Sequence, residues 1–352
     1  MRDAGGKLWH SSALFGADAR GTVDLDRSIA RSGSYAGRWG MGLVASLTTG
    51  TRSPYLFDWK AKGVHTFRID VRVRGRPVGS GTFRRAMPGA VVKQPISIAD
   101  EGFYGRYDRG QAAASRLPGI LLLGGSEGGL PIGPRPSMLA ARGYPTLSLA
   151  YFRAPGLPQT LENIPLEYFE RALLWLRAQP QVDPNRIVVV GVSYGSQAAQ
   201  LLGVHYPSLV SAVVASVPSN VATCGFPSCS GPAWTFESQP VPYTREFNNP
   251  DPRDNPDAVI PDERIHGPLF LVCGGLDSAW ISCIYSRAIM SRLAAQGHPY
   301  RDVMYAYPRA GHNVGGLLPY FPVAPRRLYF NQVDEQARAN VWPHLLSFLA
   351  RL

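Results

Sequence analysis

Two kinds of apolar pattern alternate through most of the chain. Short, continuous apolar runs occur at 117–123, 145–151, 187–192, 210–217, 268–273 and 302–307. Runs of this length bounded by glycine and proline predict strands buried on both faces. Between them lie stretches with helical spacing. Residues 134–142 form one, and 165–179 form another, with Leu166, Phe169, Leu173, Leu174 and Leu176 near one face. A run of small and apolar residues, Ala198, Ala199, Leu201 and Leu202, follows the 187–192 strand, and 333–352 is amphipathic. Buried strands alternating with helices predict a mostly parallel sheet wrapped on both faces.

The first hundred residues read differently. From Phe67 to Val73 the odd positions are Phe, Ile, Val and Val, and the even positions are Arg, Asp and Arg. A period of two marks a half-buried strand. Gly75-Arg76-Pro77 predicts a turn, and 78–83 the returning strand. Segments 21–25 and 42–47 suggest earlier strands. The organisation expected is therefore an Ig-like β-sandwich over 1–105, followed by an α/β domain over 106–352. Residues 218–265 break the alternation with many Pro, Asn, Asp and Gly, which predicts a lid or a substrate-binding insertion.

Composition narrows the classes. The 352 residues suit two domains, and 45% hydrophobic with 17% charged residues excludes a disordered chain. No apolar run approaches about 18 residues, so no transmembrane helix is expected. The N-terminal residues lack the apolar centre of a signal peptide, which makes a cytoplasmic location the expectation and a secreted one the alternative if a signal has been removed. The net charge is +11, and only Lys7, Lys60, Lys62 and Lys93 are lysines. The arginines are scattered, without a nucleic-acid-binding motif, so the charge implies attraction of anionic small molecules rather than nucleic acid. Of the four cysteines, Cys224 and Cys229 are close enough for a local disulfide or for two ordinary thiols. Cys273 ends an apolar strand and is expected to pack as a small hydrophobe, while Cys283 lies in a helix candidate without a readable role. No zinc-type cysteine pairing appears, and no metal or other cofactor is expected.

The chemistry concentrates in Gly191-Val-Ser193-Tyr-Gly195. A serine between two glycines, with a buried strand before it and a helix after it, is the context of a nucleophile elbow. Such a serine needs a base, and the base needs an acid to fix its tautomer. Asp277 follows the 268–273 strand and His312 follows the 302–307 strand, so the order Ser193, Asp277, His312 places all three at the carboxyl edge of the sheet. His10, His65, His205, His266, His298 and His344, and Asp254, Asp257 and Asp262, are weaker candidates. The oxyanion hole is expected from the backbone N–H of Tyr194 and a second N–H, of Ser126 or Glu127, in the Gly124–Gly129 loop.

At these residues the chain resembles the type I acyl-CoA thioesterases and the related bile acid-CoA:amino acid N-acyltransferases. The resemblance runs through nearly the whole chain. It is carried by segments 9–18, 21–25 and 33–35, then by Leu123-Gly-Gly-Ser-Glu-Gly-Gly-Leu130, Leu166-Glu-Tyr-Phe-Glu170, Gly311-His312 and Pro319-Tyr-Phe-Pro322. It implies an α/β-hydrolase domain after an N-terminal β-sandwich. It also implies hydrolysis of an acyl thioester by Ser193, with Asp277 as acid and His312 as base. The amino-acid-conjugating members carry cysteine at the nucleophile position, so serine here favours water as the acceptor.

The leading expectation is a serine acyl-CoA thioesterase acting through an acyl-enzyme. Arg135, Arg153 and Arg245 flank segments expected near the site and are candidates for the coenzyme A phosphates. An exported carboxylesterase on oxygen esters, and an acyltransferase or cyclase releasing a biosynthetic intermediate, use the same residues. A binding module without catalysis is disfavoured by the complete set of three.

Overall fold

The computed structural model describes residues 1–3, 5–49, 64–86, 89–111, 116–131, 133–320 and 331–352. Phe321 and Pro322 of the Pro319–Pro322 segment lie outside them. Two compact units result: Met1–Ala90 with Leu318–Ala339, and Val91–Leu317 with Asn340–Leu352.

In the first unit, Ala13–Phe15 pairs with Ala30–Gly33, and Val64–Val73 pairs with Arg76–Ala86, both antiparallel. The longer hairpin turns through Arg74 (φ 48°) and Gly75 (φ 80°). Two positive φ values match the right-handed twist of the flanking strands. Its inward face is short. Phe67 stacks on Phe83 at 4.7 Å and packs with Trp9, Val44 and Leu47, whereas Val71, Val73 and Val78 are exposed. Of the expected strands, 67–73 and 78–83 are present, but Gly42–Ala45 is one turn of helix and 21–25 is irregular. The 42–47 run is buried against Trp9 and Tyr35 rather than alternating, so its apolar residues carried no period to separate helix from strand.

The second unit is built on one eight-stranded sheet. In chain order its strands are β1 (Val91–Ile96), β2 (Tyr104–Gly110), β3 (Leu117–Leu123), β4 (Thr146–Ala150), β5 (Val182–Val192), β6 (Ala212–Ser216), β7 (Leu269–Gly274) and β8 (Val303–Tyr307). Their spatial order is β8-β7-β6-β5-β3-β4-β2-β1. Strands β3 to β8 are parallel, and β2 joins antiparallel to β4 and β1. The main helices are α1 (Arg135–Ala140), α2 (Leu166–Arg177), α3 (Tyr194–His205), α4 (Ser282–Ala295) and the part of α5 (Gln332–Leu349) from Asn340 onward. This is the α/β-hydrolase arrangement, and the first unit contributes small sheets ahead of it. Among the described residues no helix is long and apolar enough to cross a membrane.

Burial explains the sequence pattern. Ile120–Leu123, Val188–Val190, Val213–Val214 and Leu269–Leu271 are essentially inaccessible to water, as strands covered on both faces require. One difference from expectation concerns residues 91–105. Strand β1 and the start of β2 pair within the large sheet, although they fall inside the stretch expected to belong to the preceding domain. They form the antiparallel edge, where one face meets water. A second concerns 218–265, which is packed rather than open. Trp234–Phe236 pairs with Gln239–Pro240 and with Ile164–Pro165, and Val221, Ala222, Trp234 and Ile265 enter the main core.

Candidate active site

The site grows from the end of β5. Ser193 sits between that strand and α3 with φ 58° and ψ −124°, a strained backbone for a residue with a side chain. The turn closes because Gly191 and Gly195 lack side chains. A Cβ on Gly191 would fall 1.9 Å from the Gly195 carbonyl oxygen, and one on Gly195 would fall 2.2 Å from that of Gly124. The Ser193 N–H donates to Ser216 O at 3.0 Å, tying the elbow to β6. Tyr194 opens α3, so its N–H has no carbonyl one turn back and points out of a helix N-terminus that favours negative charge.

Asp277 and His312 arrive on neighbouring strands. Asp277 follows β7, and both its carboxylate oxygens lie 2.9 Å from His312 Nδ1. The Asp277 side chain is 1% exposed and that of His312 26%, so the acid is sealed while the ring keeps an open edge. Asp277 Oδ1 also accepts from the N–H groups of Ala279 (2.9 Å) and Trp280 (3.3 Å). Burial pushes the Asp277 carboxyl pKa up. The hydrogen bond and charge of His312, with the Ser282 and Ala279 donors, outweigh burial and hold it below the usual carboxylate value. The loops carrying acid and base are joined directly, Leu276 N donating to Ala310 O at 2.8 Å and Gly275 N to Tyr307 O at 2.9 Å. His312 begins a 3-10 turn, His312–Gly316, that packs against the strand leading to the serine. Open space for a Cβ at Gly315 is closed by Val217 at 2.7 Å and Val192 at 3.1 Å. Among the described residues no hydrogen bond joins Ser193 Oγ to His312.

The glycine loop after β3 forms the facing wall. A Cβ on Gly125 would lie 3.0 Å from Ser193 Cβ, so a glycine here lets the loop pass close to the nucleophile candidate. Tyr151, fully buried, donates its hydroxyl to Gly124 O at 2.6 Å. Burial raises the Tyr151 phenol well above its ordinary pKa, and the nearby Glu127 charge adds to this. The Glu127 carboxylate folds back so that Gly125 N donates to its Oε2 at 2.9 Å. The residue is expected for its N–H but also brings a negative charge to the wall.

The three arginines separate. Arg153 is exposed beside this wall, its side chain 2.8 Å from a Cβ placed on Gly128, with its Nε donating to Gln159 O. Arg245 is exposed in the 218–265 segment, with its guanidinium 5.9 Å from the Tyr243 ring centre. Arg135 differs from the other two in its burial. Part of the residue reaches solvent, but its Nε and Nη1 are buried and without hydrogen-bond partners. Burial lowers its pKa to about 10, against the raising effect of Glu127.

Other histidines and aspartates are engaged elsewhere. His298 bonds Asp302 at 2.7 Å and Ile265 O at 2.9 Å, His205 meets the Phe236 ring, and His344 stacks on Tyr305. Asp254 is occupied by Thr244 and the Arg245 N–H.

Two features escaped sequence reasoning. Trp280 donates Nε1 to Val217 O at 2.9 Å, while its ring lies 6.1 Å from His312 and 5.6 Å from Tyr194. Its position three residues after Asp277 was the available signal. The second is a disulfide between Cys273 and Cys283, which corrects the reading of Cys273 as a packing residue. Strand β7 and helix α4 bring the two together, and a separation of 10 residues carries no motif. Cys224 and Cys229 form the other disulfide.

Comparisons with known proteins bear on the family and the fold. Residues 164–351 match the family described as BAAT / acyl-CoA thioester hydrolase C-terminal. Residues 1–97 match the acyl-CoA thioester hydrolase/BAAT N-terminal region. Acyl-coenzyme A thioesterase 6 of Mus musculus is 29% identical over 376 residues, covering 100% of this chain and 88% of its own. Acyl-coenzyme A thioesterase 1 of Rattus norvegicus is 30% identical over 347 residues, covering 92% and 79%. Among solved structures, one from Klebsiella pneumoniae described as a dienelactone hydrolase aligns with TM-score 0.51 at 16% identity. It covers 75% of this chain and 100% of that one, a likeness of fold.

Proposed function

The chain belongs to the acyl-CoA thioester hydrolase/BAAT family, and from that premise we propose that it hydrolyses acyl-CoA through Ser193, His312 and Asp277. One observation carries the assignment. A serine at a strained strand-to-helix elbow lies on the same sheet edge as a histidine whose Nδ1 faces a sealed carboxylate. With Nδ1–H held by Asp277, the His312 Nε2 is the free acceptor, which is the tautomer a general base needs.

In this reading His312 takes the Ser193 proton as Oγ attacks the thioester carbonyl. The oxyanion is held by the Tyr194 N–H and by an N–H of the Gly124–Gly129 loop, with Ser126 and Glu127 its candidates. The C–S bond breaks, the thiolate leaves with the proton from His312, and an acyl ester on Ser193 remains. His312 then takes a proton from water as it attacks that ester, and returns the proton to Ser193 Oγ. Arg153 and Arg245, exposed cations beside the loop and in the 218–265 segment, are candidates for the coenzyme A phosphates.

A second reading has specific support. Two disulfides suit an oxidising compartment rather than one rich in reduced thiols, which favours an exported esterase acting on oxygen esters. The experiment is a hydrolysis screen of short, medium and long acyl-CoAs beside matched p-nitrophenyl esters, each with rising salt. Acyl-CoA turnover that falls with salt while ester turnover holds supports the first reading. Turnover of the neutral esters alone replaces it with the second. Ser193→Ala is expected to abolish fluorophosphonate labelling, and undiminished labelling would move the nucleophile elsewhere.

A further inference from the structure

The long hairpin of the first unit, Val64–Val73 paired with Arg76–Ala86, is packed at its base and bare at its tip. At the base Phe67 stacks on Phe83 and packs with Trp9, Val44 and Leu47. Farther out, every residue from Asp70 to Thr82 is exposed, and among the described residues the hairpin joins no other strand. A two-stranded ribbon with both faces in water is marginally stable at best.

The bare part combines two kinds of side chain. Alternation puts Ile69, Val71 and Val73 on one face, where Gly81 and Gly79 stand across from the first two. A Cβ on either glycine would meet nothing within 4 Å, so this face lies open. Val71, Val73 and Val78 are 49%, 56% and 60% exposed. Arginines surround them. Residues 64–86 carry six, with Asp70 the one acid, and Asp70 is already taken by Arg68 at 2.8 Å. Arg72, Arg74 and Arg76, exposed around the turn, enter no ion pair among the described residues.

This charge selects the occupant. A second copy would bring the same arginines against these, and charged side chains with Pro77 obstruct strand addition along the open edges. A soluble polyanion would meet the arginines and leave the valines in water. An anionic lipid surface meets both, since guanidinium groups reach headgroup phosphates while short apolar side chains enter the acyl boundary.

We propose that the tip of this hairpin, residues 70–78, docks the protein on a membrane surface that carries anionic lipid. The attachment is reversible. Each arginine near such a surface is worth about fivefold in binding, so the three without partners contribute about 100-fold together. The inference does not depend on the chemistry at Ser193.

The test sediments the full chain with vesicles of phosphatidylcholine alone and with vesicles that also contain phosphatidylserine. Wild type should bind the second and not the first, and rising salt should release it. Arg72→Gln, Arg74→Asn and Arg76→Gln together should weaken binding about 100-fold. Asparagine suits the positive φ of Arg74, 48°. A control with Arg20→Gln, Arg287→Gln and Arg301→Gln removes the same charge from exposed positions elsewhere, and should bind within about threefold of wild type because exposed charges beyond a Debye length of the surface are screened. It separates the hairpin from the overall charge of +11. Val71→Thr, Val73→Thr and Val78→Thr together keep β-branched strand formers and all the charge, and should bind about tenfold more weakly. All nine positions are exposed, so melting temperatures should stay close to wild type. The proposal is overturned if no binding to the anionic vesicles occurs, or if the arginine and control variants weaken alike, which would make binding a property of net charge. It is equally overturned by wild-type binding of the valine variant, which would make the tip a site for any polyanion. A wild-type dimer that the valine variant dissociates would give this face to a second copy and overturn it too.

Discussion

Two short loops of the hydrolase unit are closed by the same device and spend their contacts differently. The Cys273–Cys283 disulfide closes a segment of separation 10, and Cys224–Cys229 closes one of separation 5, each with Cα atoms 4.9 Å apart. The first loop turns its polar groups inward. Asp277 meets His312 and two backbone N–H groups, and Trp280 meets Val217 O, His312 and Tyr194. The second turns them outward, with the Ser228 and Ser230 hydroxyls donating to Glu162. Inward it offers the Phe226 ring, 6.1 Å from the Tyr194 ring, and the Cys224 carbonyl, which accepts from the Tyr194 hydroxyl at 3.3 Å. A covalent closure thus says little about role. The first loop holds the Asp277–His312 pair, which on the proposed function transfers a proton and where a small displacement is expensive, and the second packs an aromatic ring beside Tyr194.

The strongest way to break this contrast is Asp277→Asn. The amide cannot hold the His312 tautomer, so kcat should drop by about 10⁴-fold on any substrate. Retention of more than a tenth of wild-type turnover would show that the inward loop does not govern the proton. The two disulfides come next. Removing Cys273 and Cys283 together as alanines should cost about 2–3 kcal/mol of stability and lower kcat roughly tenfold through a looser Asp277, a step well below the full loss of the acid. Removing Cys224 and Cys229 should cost similar stability but leave kcat on the best substrate within about twofold. Equal kcat losses in the two pairs would erase the distinction. A smaller effect should follow Phe226→Ala, which trims the aromatic beside Tyr194. Chain-length profiles of KM should shift by about 3- to 10-fold, the scale of a small change in an apolar pocket, with kcat little altered.

What could be read beforehand follows the same division between inward and outward. Ser193, Asp277 and His312 each follow an apolar strand, and the strand ends put them on one sheet edge. The sheet was legible because double-sided burial writes itself as unbroken apolar runs. The polar edge strand β1 was not, since one wet face makes it resemble a sandwich strand, and the turn at Gly42–Ala45 is too short to show a period. Long-range pairings were least legible. Nothing local to Cys273 or Trp280 announces a partner, because each acquires its role only when separate segments meet.

A last variant separates stability from catalysis and so sharpens the reading of both loops. Asp262 lies in the packed 218–265 segment, fully buried, with neither carboxylate oxygen hydrogen-bonded. Burial raises its pKa well above 3.8, and Glu263 adds to the rise while Arg292 opposes it. The sign follows from which state holds the proton. Above the unfolded value the unfolded chain releases it while the folded chain keeps it, so stability is lost as pH rises through that window toward the raised folded value. Below both values the group contributes no difference. Asp262→Asn cannot ionise and should escape the loss. Its melting temperature should match wild type near pH 4 and exceed it at pH 8, by about 2–4 °C for each kcal/mol recovered. Turnover should stay unchanged, because Asp262 touches neither loop. A gain that is the same at both pH values would trace the effect to packing rather than to the buried charge. A gain accompanied by altered kcat would show that the segment's stability and the site are coupled, and the loop variants would then need to be compared at equal stability.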